Sequence, residues 1–351
     1  MTARGWAFLV GVAWVGTAGI ATATATAVRP AVEVKPKESG RRVDILVDGR
    51  PFTSYIYPTS LKKPVLFPIR DALGNVITRG FPMEPRPHER ADHPHHVGLW
   101  LNYGDVNGVD FWNNSEQAPE TAKMGTIVHR KVESAAGGAG RGELVVTADW
   151  LLPGGQAALG ERTRLVFRAD AGLRSIDRNT TLTALGQKVV FHDNKEGMIG
   201  LRVTRALEQP ATKPEIFVDA AGRPTAVPVL DNEGVSGLYR SSEGKVGDDV
   251  WGTRGRWVTL SGTIDGKPVT VAMLDHPKNP GHPTYWHARG YGLFAANPLG
   301  VKVFTEGKSE LNFTLEPGRS TTFTYRVLIL SENASVERME KEYRRFVEET
   351  R

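Results

Sequence analysis

The chain has 351 residues and no cysteine, and 44 lysines and arginines against 39 aspartates and glutamates leave a formal charge of +5. Without sulfur there is no disulfide, no thiolate nucleophile and no cysteine-bound metal. Charges of both signs are interspersed along the chain with no basic block, so nucleic acid is not an expected partner.

In chain order, Arg4, the apolar run Trp6 to Ile20 and the small residues Ala23-Thr-Ala25 or Ala25-Thr-Ala27 read as an export signal over 1–27, cleaved or kept as an anchor. No other stretch nears the ~20 apolar residues of a spanning helix, so the mature chain is expected to be periplasmic or extracellular with no membrane span. Residues 28–42 are polar and predict a linker, followed by one domain over 43–351. Val43, Ile45 and Val47 fall at every second position, and Asp48-Gly49 turns the chain into a second extended run, Phe52 to Tyr57. Alternation returns at 142–151, 162–169, 175–185, 198–203, 257–264 and 269–274. Leu311 to Leu315 and Phe323 to Ile329, joined through Glu316 to Ser320, read as a hairpin. Only Val336, Met339, Tyr343, Phe346 and Val347 recur at helical spacing. The fold predicted is all-β: a large two-sheet β-sandwich, on the scale of a mutarotase-like supersandwich, with a short C-terminal helix.

The chemistry concentrates in two loops. Seven of the nine histidines fall in 88–96 and 276–287. In the first loop, strand parity from His96 sends His96, Trp100 and Asn102 to one face, towards a cleft, and His95, Val97, Leu99 and Leu101 to the core. His93 and His95 stand two apart, a spacing that on an extended chain chelates a metal, with His96 or His287 as a third ligand and Asp92 or Glu89 as partner. In the second loop Tyr285, His287 and Arg289 share a strand face. Glu196, ahead of a strand, is the preferred carboxylate partner. Imidazole titrates near neutral pH, so His93, His95, His96 and His287 with Glu196 form an acid–base set. Glu84, Arg86, Asn102, Tyr285 and Arg289 would grip hydroxyls, while Trp100, Trp112 and Trp251 would offer flat faces to a sugar ring. There is no nucleophile elbow, phosphate loop, zincin helix or dinucleotide fingerprint.

Several long motifs resemble the PmoA-like family of exported bacterial proteins, labelled "methane oxygenase PmoA". They are Pro82-Met-Glu-Pro-Arg86, Asp92-His-Pro-His-His-Val-Gly-Leu-Trp100, Asn107-Gly-Val-Asp-Phe-Trp112, Lys195-Glu-Gly197, Trp251-Gly252 and His282 to Pro298. The resemblance covers nearly the whole mature chain and implies a role near carbohydrate metabolism; it assigns no residue a role. The membrane subunit behind the label has several spanning helices, whereas this chain has one apolar segment, at the signal. The residues favour an exported enzyme acting on a sugar or glycoside by His/carboxylate chemistry: epimerisation, hydrolysis or β-elimination. The alternatives are a Zn or Cu hydrolase or oxygenase with a histidine site, and a glycan-binding module without turnover.

Overall fold

The computed structural model describes residues 1–3, 5–11, 29–119 and 122–350. Most of the apolar run and the cleavage site expected of an export signal lie outside the described residues. Among those residues no helix is long and apolar enough to cross a membrane.

The alternating segments pair into two large antiparallel sheets. One has nine strands in the order Tyr285–Arg289, Leu293–Asn297, Ile199–Arg202, Leu99–Leu101, Val65–Leu66, Arg50–Ile56, Arg42–Val47, Ala31–Lys37 and Gly138–Ala139. The other has eight, in the order Leu238–Ser241, Trp257–Ile264, Lys267–Asp275, Ser320–Leu330, Leu173–Ala184, Ala157–Asp170, Arg141–Leu151 and Thr126–Ala136. Their facing sides share one apolar core, in which Ile45, Leu99, Leu201 and Phe294 meet Leu165, Phe167, Ile176, Val327 and Ile329. The protein is therefore an all-β two-sheet sandwich. The C-terminal helix Val336–Glu349, capped by the Ser335 side chain accepting from the Arg338 N–H at 3.2 Å, lies on the outer face of the eight-stranded sheet. Met339, Tyr343 and Phe346 pack there on Trp257, Leu274 and Leu328.

Two expectations need correction. Within the expected linker, Ala31–Lys37 is a strand paired along its length with Arg42–Val47, because Val32 can be buried against the sandwich core. The expected hairpin does not form. Phe313–Leu315 pairs instead with Val189–Phe191, while Ser320–Leu330 runs between Leu173–Ala184 and Lys267–Asp275. A turn between two apolar runs fixes their direction, but the partner that buries them decides the pairing.

The outer face of the nine-stranded sheet carries a smaller apolar cluster of Val65, Phe67, Val97, Trp100, Trp112, Leu293 and Ala295. Two residues alternate on each strand here. Trp286 and Ala288, Phe294 and Ala296, and Ile199 and Leu201 face the sandwich core. The intervening His287 and Arg289, Leu293 and Ala295, and Gly200 and Arg202 therefore face outwards.

Candidate functional site

The register of four strands hollows this outer face. His287 pairs with Ala295, Ala295 with Gly200, and Gly200 with Trp100, so the two smallest side chains separate an imidazole from an indole. A Cβ on Gly200 would come within 2.5 Å of the Trp100 ring and 3.0 Å of Trp112, so only glycine lets both indoles settle there. Over this trough opens a cleft of about 680 Å³. Its walls include His93, His95, His96, Trp112, Lys195, Glu196, Trp251, His287, Arg289 and Tyr291. The two histidine-rich loops and the Lys195-Glu196 turn thus meet, although nearly two hundred residues separate the loops in the chain.

The first loop is moulded around Arg79, a residue that no motif or spacing singles out. Its guanidinium donates from Nη1 to the carbonyls of Arg90 and Asp92 at 3.1 and 2.8 Å, and from Nη2 to those of His93 and His96 at 2.9 and 3.2 Å. Arg79 and Arg202 are both fully buried and share the Asp92 carboxylate, at 2.5 and 2.7 Å. Burial alone would raise the Asp92 carboxyl, but Arg202, His93 and Arg79 outweigh it and hold the group well below the usual carboxylate range. Burial and the neighbouring Arg202 pull Arg79 itself down to about 9. Asp92 also reaches His93, with Nδ1 3.2 Å from Oδ2.

His93 is the second ring in a column of near-parallel rings. Tyr291 stacks on His93 at 5.0 Å, His93 on His96 at 4.8 Å, and His96 on Trp100 at 5.2 Å, while His95 meets His96 edge-on at 4.3 Å. The parallel rings of His93 and His96 do not aim their nitrogens at one point, as metal ligands must. Among the described residues, no group of three or more His, Asp or Glu is arranged to hold a metal ion. The set His93, His95 and His96 is thus an aromatic packing unit in this structure.

His96 is the interior member. Its Nε2 accepts from the Trp112 indole N–H at 3.2 Å, and its Nδ1 faces Arg202 Nη1 at 3.4 Å. Indole only donates, so Nε2 is the unprotonated nitrogen and an imidazolium would set N–H against N–H. Burial, then His95 and Arg202, depresses its basicity far below the ordinary imidazole value. His96 holds the loop and is not available as an acid or base. His95 is pushed down to about 2, chiefly by burial and then by Lys63, and its Nε2 has no hydrogen-bond partner.

On the opposite wall, His287 Nδ1 donates to the Lys195 carbonyl at 3.1 Å, which fixes the tautomer and leaves Nε2 as the lone pair. Burial, with Arg289 and Lys195, lowers this imidazole to about 3. Glu196 Oε2 lies 3.7 Å from His287 Nδ1, and its other oxygen is ion-paired with Lys195. Burial holds the Tyr291 phenol up near 12, so it is a neutral donor.

Other expected residues fall elsewhere. Glu84 is exposed on a different part of the surface, and Arg86 ion-pairs with Glu89 at 2.6 Å outside the cleft. Glu89, considered as a metal partner, accepts the Gly80 and Phe81 amides. Asn102 is buried behind the cleft and donates to the Phe111 carbonyl at 2.6 Å. Trp100 is fully buried. Trp112 reaches the cleft only as part of its floor, and the Arg289 guanidinium covers one face of Trp251 at 4.7 Å. Tyr285 stacks on Phe304 at 5.1 Å, outside the cleft lining. Of the expected aromatic platforms, none lies fully open. Sequence reasoning also missed Arg90, held by Glu208 at 2.8 Å and Glu215 at 2.7 Å, and the wall from Gln209 to Glu215; neither carries a motif.

An antiparallel sandwich with a polar, histidine-lined cleft on one outer face is thus the class this chain represents. Over residues 42–344 it matches a family of unknown function, DUF6807, and it belongs to that family. Among curated proteins nothing matches. Similar solved structures include the GH36 α-galactosidase AgaB from Geobacillus stearothermophilus, at 11% identity and a TM-score of 0.41, covering 89% of this chain and 43% of that one. The Slr1438 protein from Synechocystis sp. PCC 6803 follows at 10% identity and 0.32, covering 89% and 100%. A protein assigned as an aldose 1-epimerase from Escherichia coli K12 gives 10% and 0.30, covering 86% and 100%. The chain spans less than half the length of the α-galactosidase it matches.

Proposed function

We propose that the protein is an exported enzyme that binds a sugar or glycoside in this cleft and moves a proton on it with His and carboxylate groups. The observation that carries the reading is the meeting of His93, His287 and Glu196 on one trough from three distant segments. Glu196 is the base best placed to take a proton, because the nearby imidazoles of His95 and His287 are held neutral and weakly basic. His93, oriented by Asp92, returns a proton to the substrate. Arg289 and the Tyr291 hydroxyl hold the sugar's oxygens, and hydrogen bonding replaces the ring stacking that the buried tryptophans do not offer.

The test is an NMR-monitored panel of reducing sugars, uronates and aryl glycosides with the full chain and with Glu196→Gln. The expected outcome is turnover of at least one class, reduced about 10²–10⁴-fold by the substitution while binding persists. Turnover untouched by Glu196→Gln would overturn the assignment of the base. The low basicity of His95 and His287 favours a second reading, a binding module. Tight binding weakened by Arg289→Ala, with no product from any sugar, would select it. Export is part of the proposal and rests on the N-terminal segment. Cell fractionation is expected to find the protein outside the cytoplasm, and a cytoplasmic pool alone would refute export.

A further inference from the structure

Beside the cleft, and sharing His95 with it, lies a second hollow of about 290 Å³. Its wall is mixed: Leu61, Val65, Met83 and Val97 supply apolar surface, and Lys62 and Glu116 are among its polar members. Lys63 lines it and is buried. Among the described residues its ammonium has no carboxylate within ion-pairing distance, in contrast to Arg79, Arg90 and Arg202 nearby. It donates to the His95 carbonyl at 2.7 Å and lies 5.4 Å from the centre of the Trp100 ring. A buried, charged lysine normally has a counter-ion, because an unpaired ammonium is costly to desolvate. An amine with no carboxylate partner among the described residues, beside a hollow, fits a neutral nucleophile better than a structural cation.

We propose that Lys63 is a reactive amine that forms an imine with the aldehyde carbonyl of a small open-chain sugar or hydroxyaldehyde bound in this second hollow. The Nζ lone pair adds to the carbonyl carbon, the C=O π pair moves to oxygen, and a proton passes from nitrogen to that oxygen, giving a carbinolamine. The nitrogen lone pair then expels the hydroxyl, which leaves as water with one proton taken up, and loss of the remaining N–H proton gives the imine; no oxidant or reductant is consumed. Solvent water entering the hollow carries those protons, since His95, which also borders it, is too weakly basic to do so. Burial lowers the Lys63 amine to about 7 against the opposing pull of Asp110, which makes neutral amine abundant at neutral pH. A cavity of this size accommodates a triose or tetrose more readily than a disaccharide.

The experiment treats the full chain with glycolaldehyde or glyceraldehyde and cyanoborohydride at pH 7, followed by site-resolved mass spectrometry of every lysine. A parallel arm uses galactose. Lys63 is expected to be reductively alkylated at least tenfold faster than exposed lysines such as Lys267 and Lys308, although it is far less accessible. Lys63→Arg is expected to remove that signal and leave surface labelling unchanged. Labelling of Lys63 at or below the surface rate in the unmodified sequence overturns the proposal without recourse to a variant. Because the amine lies outside the acid–base set, Glu196→Gln is expected to leave Lys63 labelling intact, so failure here and failure of the cleft reading are separable.

Discussion

Asp92 places one carboxylate between two guanidiniums that have no contact with water. Removing its charge leaves Arg79 and Arg202 facing each other in the interior, and an uncompensated buried charge costs about 3–5 kcal/mol. Asp92→Asn is therefore expected to lower unfolding free energy by that amount in urea titrations, and to release the 90–96 loop whose carbonyls Arg79 collects. A loss below about 1 kcal/mol would mean that the backbone carbonyls alone neutralise the pair. Neither arginine was legible in the sequence. Each is a single cation within or beside an apolar alternation, where it looks like an ordinary outward position. Outward here means into a wall of protein. The histidines were legible because their number in nine positions exceeds what a solvated loop needs, but their division of labour was not. His93 keeps an edge in the cleft while His96 is sealed beneath it, and no residue count separates the two.

At the scale of the strand, parity worked where the backbone stayed regular. Tyr285, His287 and Arg289 share a face as expected, with Trp286 and Ala288 turned to the core. It failed at Gly98, whose φ of +60° breaks the extended chain, so Val97 joins Trp100 on the outer face in place of Leu99 and Leu101 in the sandwich. A Cβ at Gly98 would meet the Leu66 carbonyl at 2.1 Å, so no other residue fits. The Asp48-Gly49 turn forms as expected, since both residues have positive φ, as a tight two-residue turn requires. Gly200 tests the trough itself. Gly200→Ala drives a methyl into Trp100 and Trp112, and overpacking of this kind costs about 1–3 kcal/mol. The expected result is a lower denaturation midpoint together with weakened sugar binding, because His96 leans on both indoles. Unchanged binding would show that the cleft floor and the indole cluster are independent.

For the molecule as a whole, the neutral histidines set the response to acid. His95 and His287 have native values near 2 and 3, against about 6.5 in an unfolded chain. Below pH ~6.5 the unfolded chain takes up protons that the native state refuses, so stability falls as pH falls, by up to about 1.4 kcal/mol per unit for each group. Asp92 acts in the same direction but lower down: its depressed carboxyl adds stability above the unfolded value near 4 and loses it on further acidification. Denaturation curves from pH 7.5 to 4.5 are therefore expected to shift steadily to lower denaturant. His287→Gln, which keeps a donor for the Lys195 carbonyl and cannot titrate, is expected to flatten the slope. A flat profile in the unmodified protein would mean that these imidazoles are protonated when folded. The sandwich class was legible because alternation with frequent glycine and proline leaves little else to build. Strand partners were not, since pairing is settled by which surfaces must be covered.

The column from Tyr291 through His93 and His96 to Trp100 runs from the mouth of the cleft to a closed interior. A ligand that tilts Tyr291 or donates a proton to His93 alters the electronic surroundings of an indole it never touches. Ligand binding is therefore expected to change the tryptophan emission of the chain, and Trp100→Phe is expected to remove the share of that change owed to one of its eight tryptophans. A compound that fills the cleft is thus expected to be detectable by light before any product is known.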